Sequence, residues 1–309
     1  MMPARGVPLL VASALATCAV GGVADHGPDT LRLEDVLIRA AGYVRQFEHD
    51  FTAIISDESY EQHVQRLTVH LPATPTVRRM TSEMLFMWLP DEQTFLSARN
   101  VLVVDGQPVP DSHDRIERVL KGPADGRTSR LRRLLDEGGR FNLGPVIRNV
   151  SEPTLALEFL DPSYQPRFTF LVAGHERVSK VDTMKLTFTE HARPTVITDN
   201  GADVLSKGTL WVRQSDGIVV RTLLQATVPS PTNLISVSAS ITVNYARNDK
   251  IDMWVPARME EHYVLSHDIW TPSTGIWTPS PRYESTNCVA TYSNYRRFET
   301  SARIVPPRQ

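Results

Sequence analysis

The longest regular pattern of apolar and polar positions in the chain lies between residues 235 and 245. Ile235, Val237, Ala239, Ile241, Val243 and Tyr245 alternate with Ser236, Ser238, Ser240, Thr242 and Asn244. A period of two over that length predicts an antiparallel strand with one apolar and one wet face. Upstream, residues 206–213 and 218–224 read as two strands joined by Gln214-Ser215-Asp216-Gly217. Asp-Gly favours a tight turn because glycine takes positive φ at no steric cost. The inward positions of this block, Leu210, Val212, Ile235, Val237, Ile241 and Val243, form a candidate apolar ligand-binding face.

Nearer the N-terminus the period changes. Leu33, Val36, Leu37, Ala40, Val44, Phe47 and Phe51 recur every three or four residues, which predicts an amphipathic helix over 30–50. Pro28-Asp29-Thr30 caps it, with Glu34 in its first turn. Further strands are predicted over 52–65, 77–89, 94–104, 146–160, 167–172, 177–190, 255–266 and 285–298. Asp105-Gly106-Gln107-Pro108 is a turn, and Ser112 or Asp114 can cap a helix over 115–121. A second helix over 128–137 is expected to stop at Gly138-Gly139. In all there are about eleven strands, two or three helices and no βαβ alternation. The expected class is α+β, a large antiparallel sheet covered by an N-terminal helix and a helical insertion.

The first residues read as a signal peptide, 1–24. Arg5 is the lone charge, residues 7–20 are apolar, and Gly22-Val23-Ala24 gives a small-x-small cleavage site before Asp25. The mature chain, 25–309, is then a single domain, periplasmic or secreted. An alternative is a lipoprotein signal at Leu15-Ala16-Thr17-Cys18, in which Thr17 fits poorly. No other apolar run is long enough to cross a bilayer, so the mature chain is expected to lack a transmembrane segment. With the leader removed, Cys288 stands alone, which excludes an intramolecular disulfide and a cysteine metal site. A net charge of −2 gives no argument for nucleic acid.

Candidate chemistry is sparse. The sequence holds no Gly-x-Ser-x-Gly elbow, P-loop, dinucleotide fingerprint or His-Glu-x-x-His. On a strand, Glu260 and His262 share a face and Glu261 points the other way. Two ligands on a wet face are too few for a metal centre. Arg130, Arg132 and Arg133 suggest either an anionic partner or a solvated helix face. No catalytic residue, metal or cofactor is expected. Ile269-Trp270-Thr271-Pro272-Ser273 repeats as Ile276-Trp277-Thr278-Pro279-Ser280. With Pro272, Pro279 and Pro281, the stretch 268–282 reads as an extended loop in which Trp270 and Trp277 could contact a partner.

The helix 30–50 leading into Phe51-Thr-Ala-Ile-Ile-Ser-Asp-Glu-Ser-Tyr-Glu-Gln62 opens a resemblance that continues through Phe141-Asn-Leu-Gly144, Pro153-Thr-Leu-Ala-Leu-Glu-Phe-Leu160 and Ala290-Thr-Tyr-Ser-Asn-Tyr-Arg-Arg-Phe298. The group it resembles is one of uncharacterised secreted proteins from acidobacteria-like bacteria. Gly208-Thr-Leu-Trp-Val-Arg213 and Asp216-Gly-Ile-Val-Val-Arg221 are more distantly similar to the central hairpin of outer-membrane lipoprotein-sorting proteins of the LolA/LolB/RseB type. That resemblance implies an unclosed antiparallel barrel with helices over its open side and an apolar cavity between. It carries no functional residue over. The function expected is a non-catalytic binding protein that holds an apolar or lipid-like ligand, as a carrier or sensor. The alternative is an envelope interaction or scaffold protein that uses the Trp-rich loop 268–282.

Overall fold

The computed structural model describes residues 32–298, apart from 68–73, 90, 91, 93, 124, 145–147, 149, 150, 200, 229–234 and 272–275. The leader 1–24, Cys18 and the capping stretch 28–30 lie outside the described residues, as do the side chains of Ile235, Trp270 and Trp277. The chain begins with α1 (Leu33–Asp50), then β1 (Ile54–Leu67), β2 (Thr76–Leu89), β3 (Thr94–Val104) and β4 (Gln107–Pro108). Three helices follow: α2 (Arg115–Lys121), α3 (Arg127–Gly139) and α4 (Leu155–Glu158). Next come β5 (Phe168–Val178), β6 (Val181–Glu190), a small ribbon of β7 (Thr198–Asp199) and β8 (Ala202–Asp203), and β9 (Ser206–Val212). The last four are β10 (Val219–Val228), β11 (Ile235–Asn248), β12 (Met253–Thr271) and β13 (Ile276–Arg297).

Eleven strands make one antiparallel sheet in the order β4-β3-β2-β1-β13-β12-β11-β10-β9-β6-β5, with β4 and β5 as edges, so the sheet is not closed. Its register follows the alternation. Leu210 lies opposite Thr222, Thr222 opposite Val243, and Val243 opposite Met259, all on one face. We name this the inner face. Among the described residues no helix is long and apolar enough to cross a membrane.

The helix α1 packs on the inner face through the stripe read from sequence. Val36, Ala40, Val44, Phe47 and Phe51 are buried. Phe47 and Phe51 stack at 4.6 Å, and Phe51 meets Phe86 at 4.9 Å. Burying one such ring contributes about 1.5–3 kcal/mol. The other end of α1 sits on the β9–β10 turn, where Arg39 Nη1 donates to the carbonyls of Gln214 (2.9 Å) and Ser215 (3.1 Å). Gly217, at φ 77°, is needed there twice over. It supplies the turn, and a Cβ at this position would overlap the Arg39 carbonyl and the Ala40 nitrogen.

The helical insertion lies on the opposite, outer face. Leu85, Met87 and Ala98, which alternate with the inward Phe86 and Ser97, pack against Ile116, Val119, Leu131 and Leu134. The two coverings expected from sequence therefore do not enclose one space between them; they sandwich the sheet. The helix α3 ends at Gly139, at the expected glycine stop. A Cβ on Gly138 would stand 2.5 Å from the Arg99 carbonyl, so this glycine also serves the approach of α3 to β3.

Two further expectations are corrected. The described residues of 146–160 form no strand. Their described part carries the short helix α4, and Ala156, Leu157, Phe159 and Leu160 are all buried. A short run buried on every side has no periodicity that separates strand from helix. Nor are the described residues of 268–282 a loop. Asp268 pairs with Pro279, Ile269 with Thr278, and Trp270 with Trp277, which extends the β12–β13 hairpin. The last partner of β12 in β11 is Ile235, opposite His267, and the last partner of β13 in β1 is Leu67, opposite Tyr283. Beyond these, among the described residues, the hairpin has no strand beside it. Proline, confined to edges within sheets, is tolerated in such unaccompanied strands.

The α1 contact can be tested directly. Gly217→Ala should destabilise the fold by about 2–4 kcal/mol, combining a strained φ with overpacking against α1. Gly201→Ala, at φ 80° with nothing within 4 Å, should cost only the strain. Equal losses in denaturant unfolding would show that α1 does not bear on the turn.

Candidate functional site

The inner face carries more than apolar side chains, and a strap of chain from Phe141 to Arg167 crosses it. Near its start, the Gln62 side chain donates to the Phe141 carbonyl (3.2 Å) and accepts from the Leu143 amide (2.8 Å). Arg148 then enters the interior, donating to Gln62 Oε1 (2.6 Å), the Tyr60 hydroxyl (3.2 Å) and the Leu143 carbonyl (2.7 Å). Glu261 accepts from Tyr60 (3.0 Å), Ser151 (3.0 Å) and Tyr263 (2.6 Å). Beside this network Arg99 and Glu58 form a buried ion pair, with the Arg99 guanidinium 4.1 Å from the centre of the Tyr60 ring.

Farther along, the strap supplies acceptors to β3. Glu152 Oε2 accepts from the Ser97 amide (2.7 Å), and Glu158 Oε1 accepts from the Phe95 amide (2.9 Å). Tyr245 donates to the Pro153 carbonyl (2.6 Å), which ties the same segment to β11. Phe159 stacks on Phe168 at 4.6 Å and meets Phe188 edge-on at 5.4 Å. Gly208 leaves the room that Phe188 occupies.

This arrangement divides the candidate ligand face. Leu210, Val212, Ile241 and Val243 are buried under α1 and the strap. Val237 is half-buried, as are its inward neighbours Ala239 and Val228 on β11 and β10. The sheet therefore offers a packed proximal half and a partly open distal patch. Trp270 and Trp277 are paired across the projecting hairpin, far along the same two strands from Glu261 and Cys288.

The interior polar residues carry no motif in the sequence. Glu261 points away from Glu260 and His262, and that orientation is what buries it, while Glu260 and His262 are exposed. The signal was available in the register, since Glu261 lies opposite Ile241 on the inward set of β11. Arg148 and Glu152 belong to a stretch with no readable period.

Burial, and then the Glu261 charge, push the Tyr60 and Tyr263 hydroxyls well above the usual tyrosine range. Burial and Glu261 likewise raise the Cys288 thiol to about 11. A thiol so placed is inert rather than activated. No group of three potential metal ligands occurs among the described residues.

One carboxylate titrates in reach of physiological pH. Burial, then the neighbouring Asp161, raise Glu48 on α1 to about 7, with Arg45 opposing. One of its oxygens is buried without a partner. The folded state therefore holds the proton more tightly than the unfolded chain. The stabilisation this gives is complete below the ordinary carboxylate range and is lost as pH rises through about 7. Glu48→Gln should melt higher than the parent at pH 8 and close to it at pH 4. Parallel melting curves across that range would remove Glu48 as the titrating group.

Comparison with known proteins finds no matching family model and no matching curated protein. Solved structures do show a likeness. A DUF1329 family protein from Desulfovibrio piger is 12% identical with a TM-score of 0.33, over 88% of this chain and 95% of that one. An outer membrane lipoprotein-sorting protein domain from Vibrio parahaemolyticus is 13% identical with a TM-score of 0.29, over 84% and 93%. The MucA/MucB complex of Pseudomonas aeruginosa contributes a chain 11% identical with a TM-score of 0.21, over 86% and 99%. At such identities and scores these proteins assign neither ligand nor activity to this chain.

Proposed function

We propose that this protein is a non-catalytic binding protein of the bacterial envelope that holds an apolar or lipid-like ligand on the distal inner face. The observation that carries this reading is the change along β10 and β11. The inward residues Thr222, Leu224, Ile241 and Val243 are buried, whereas Val228, Val237 and Ala239, in the same face and register, are half-buried. An apolar stretch uncovered at Val228, Val237 and Ala239, around the buried Ala226 and Leu265, suits a ligand that needs only partial burial and ready release. The envelope location rests on the leader sequence. The raised Tyr60 and Tyr263 hydroxyls and Cys288 thiol beneath the strap favour binding over chemistry.

A fluorescent fatty acid should bind the purified protein. Ala239→Trp should weaken binding about tenfold or more by filling the patch, with little change in melting temperature. Ile241→Ala, beneath the strap, should cost about 2–5 kcal/mol of stability instead. Absence of binding to any apolar probe would leave a sheet whose inner face is only structural.

The projecting β12–β13 hairpin favours a second reading, an arm that docks on an envelope protein. A two-stranded ribbon without lateral neighbours gains little from its own pairing. Shortening it by removal of residues 269–278 should leave the sheet folded. If the protein then still captures every envelope partner of the full chain in pull-down, the arm is not a docking element.

A further inference from the structure

The outer face bears a second site. Between α2 and α3 is a cleft of about 510 Å³, on the side of the sheet away from α1. Arg115, Arg118, Arg130, Arg133 and Arg140 all line it, against only two carboxylates, Asp111 and Glu137. Its walls also include the buried Val119 and Leu134. The spacing explains the convergence. Arg115 and Arg118 are three apart on α2, Arg130 and Arg133 three apart on α3, so each pair shares a helix face.

Folding alone does not call for this concentration of like charge. The single ion pair inside the cleft is Arg115 to Glu137, at 3.6 Å. Among the described residues no carboxylate stands within ion-pair distance of Arg118, Arg130, Arg133 or Arg140. Arg132, one position along α3, shows the contrast, since it turns outward to Glu92 at 2.6 Å. Two of the cleft guanidiniums are also fixed in advance. Arg115 donates to the carbonyls of Asp111 (2.8 Å) and Pro110 (2.9 Å). Arg130 donates to those of Pro123 (2.5 Å) and Asp125 (3.4 Å), while its Nε is buried without a partner. Gly122 makes the room, because a Cβ there would stand 2.8 Å from the Arg130 guanidinium carbon.

We propose that this cleft binds a phosphorylated group, a phosphate monoester or diphosphate, with the apolar remainder of the molecule against Val119 and Leu134. Guanidinium forks match phosphate oxygens in geometry and charge, and fixed forks lose less freedom on binding than free ones. Arg115 and Arg130 are the anchors, and the exposed Arg118, Arg133 and Arg140 close on the anion. The site is independent of the apolar patch on the inner face. The phosphate could belong to a soluble compound or to a lipid headgroup, and the two sources are separable.

The test uses the full chain, with inorganic pyrophosphate followed by calorimetry, and with vesicles of phosphatidylcholine containing phosphatidic acid followed by co-sedimentation. R118A/R133A removes two exposed charges of the cleft, and R132A removes one from the same helix outside it. The wild type should bind at least one probe, R118A/R133A should lose about tenfold or more in affinity, and R132A should bind as the wild type does. Pyrophosphate binding with this pattern identifies a soluble phosphate. Vesicle binding alone with this pattern identifies a headgroup. No binding to either probe, equal binding to vesicles of phosphatidylcholine alone, or an equal loss in R132A would overturn the proposal. Unchanged melting temperatures in both variants establish that the loss is not one of folding.

Discussion

An open sheet leaves one row of backbone amides without strand partners at each edge, and the way β3 resolves this governs the interior. β4 covers β3 only at Val103 and Val104. Farther down, the amides of Phe95 and Ser97 are met by the carboxylates of Glu158 and Glu152. Edge amides left bare would either draw in another chain or lose their hydrogen bonds in a dry interior. Two acidic side chains close that edge and in doing so fix the strap across the inner face. The strap then buries Leu157, Phe159 and Leu160 and brings Arg148 to Tyr60 and Gln62. The carboxylates at the β3 edge thus add to the contacts of Gln62, Tyr60 and Glu261 that hold the same segment.

The charges in the interior follow from the same placement. Arg148, Arg99, Glu58 and Glu261 lie among aromatic rings, and each finds partners of opposite sign or hydroxyl groups. Such groups add little net stability compared with an apolar core of equal volume, and they do restrict how the strap can sit. The consequence for binding is that the proximal interior is committed to its own hydrogen bonds.

The strands were legible wherever one face met water. The alternation around Ile241 gave β11 its orientation, and the positive φ expected of Gly217 is present. The stripe from Val36 to Phe51 placed α1 correctly. Legibility ended where residues are buried on all sides, as in 155–160, or where a local signal has a tertiary purpose. Gly138 and Gly139 signal a helix end, and α3 does end there, but that signal does not reveal that the first also admits the Arg99 carbonyl. The prolines near Trp277 signal a loop, yet an unaccompanied ribbon accepts them. The polar interior was hidden for a different reason. A carboxylate within an alternating strand looks the same in sequence whether it faces solvent or a buried arginine.

The position of β1 has a consequence for how the chain reaches this structure. It pairs with β2, its neighbour in sequence, and on its other side with β13, where Ile54 lies opposite Arg297. The middle of the sheet therefore depends on two segments from opposite ends of the polypeptide. Closing so long a loop is entropically costly before any contact repays it, so assembly is slow relative to a hairpin-only topology. Until β13 has been synthesised, the 14-residue edge of β1 stays unpaired. A newly made chain thus spends its synthesis with an adhesive strand exposed, a state that chaperones recognise and that aggregation exploits.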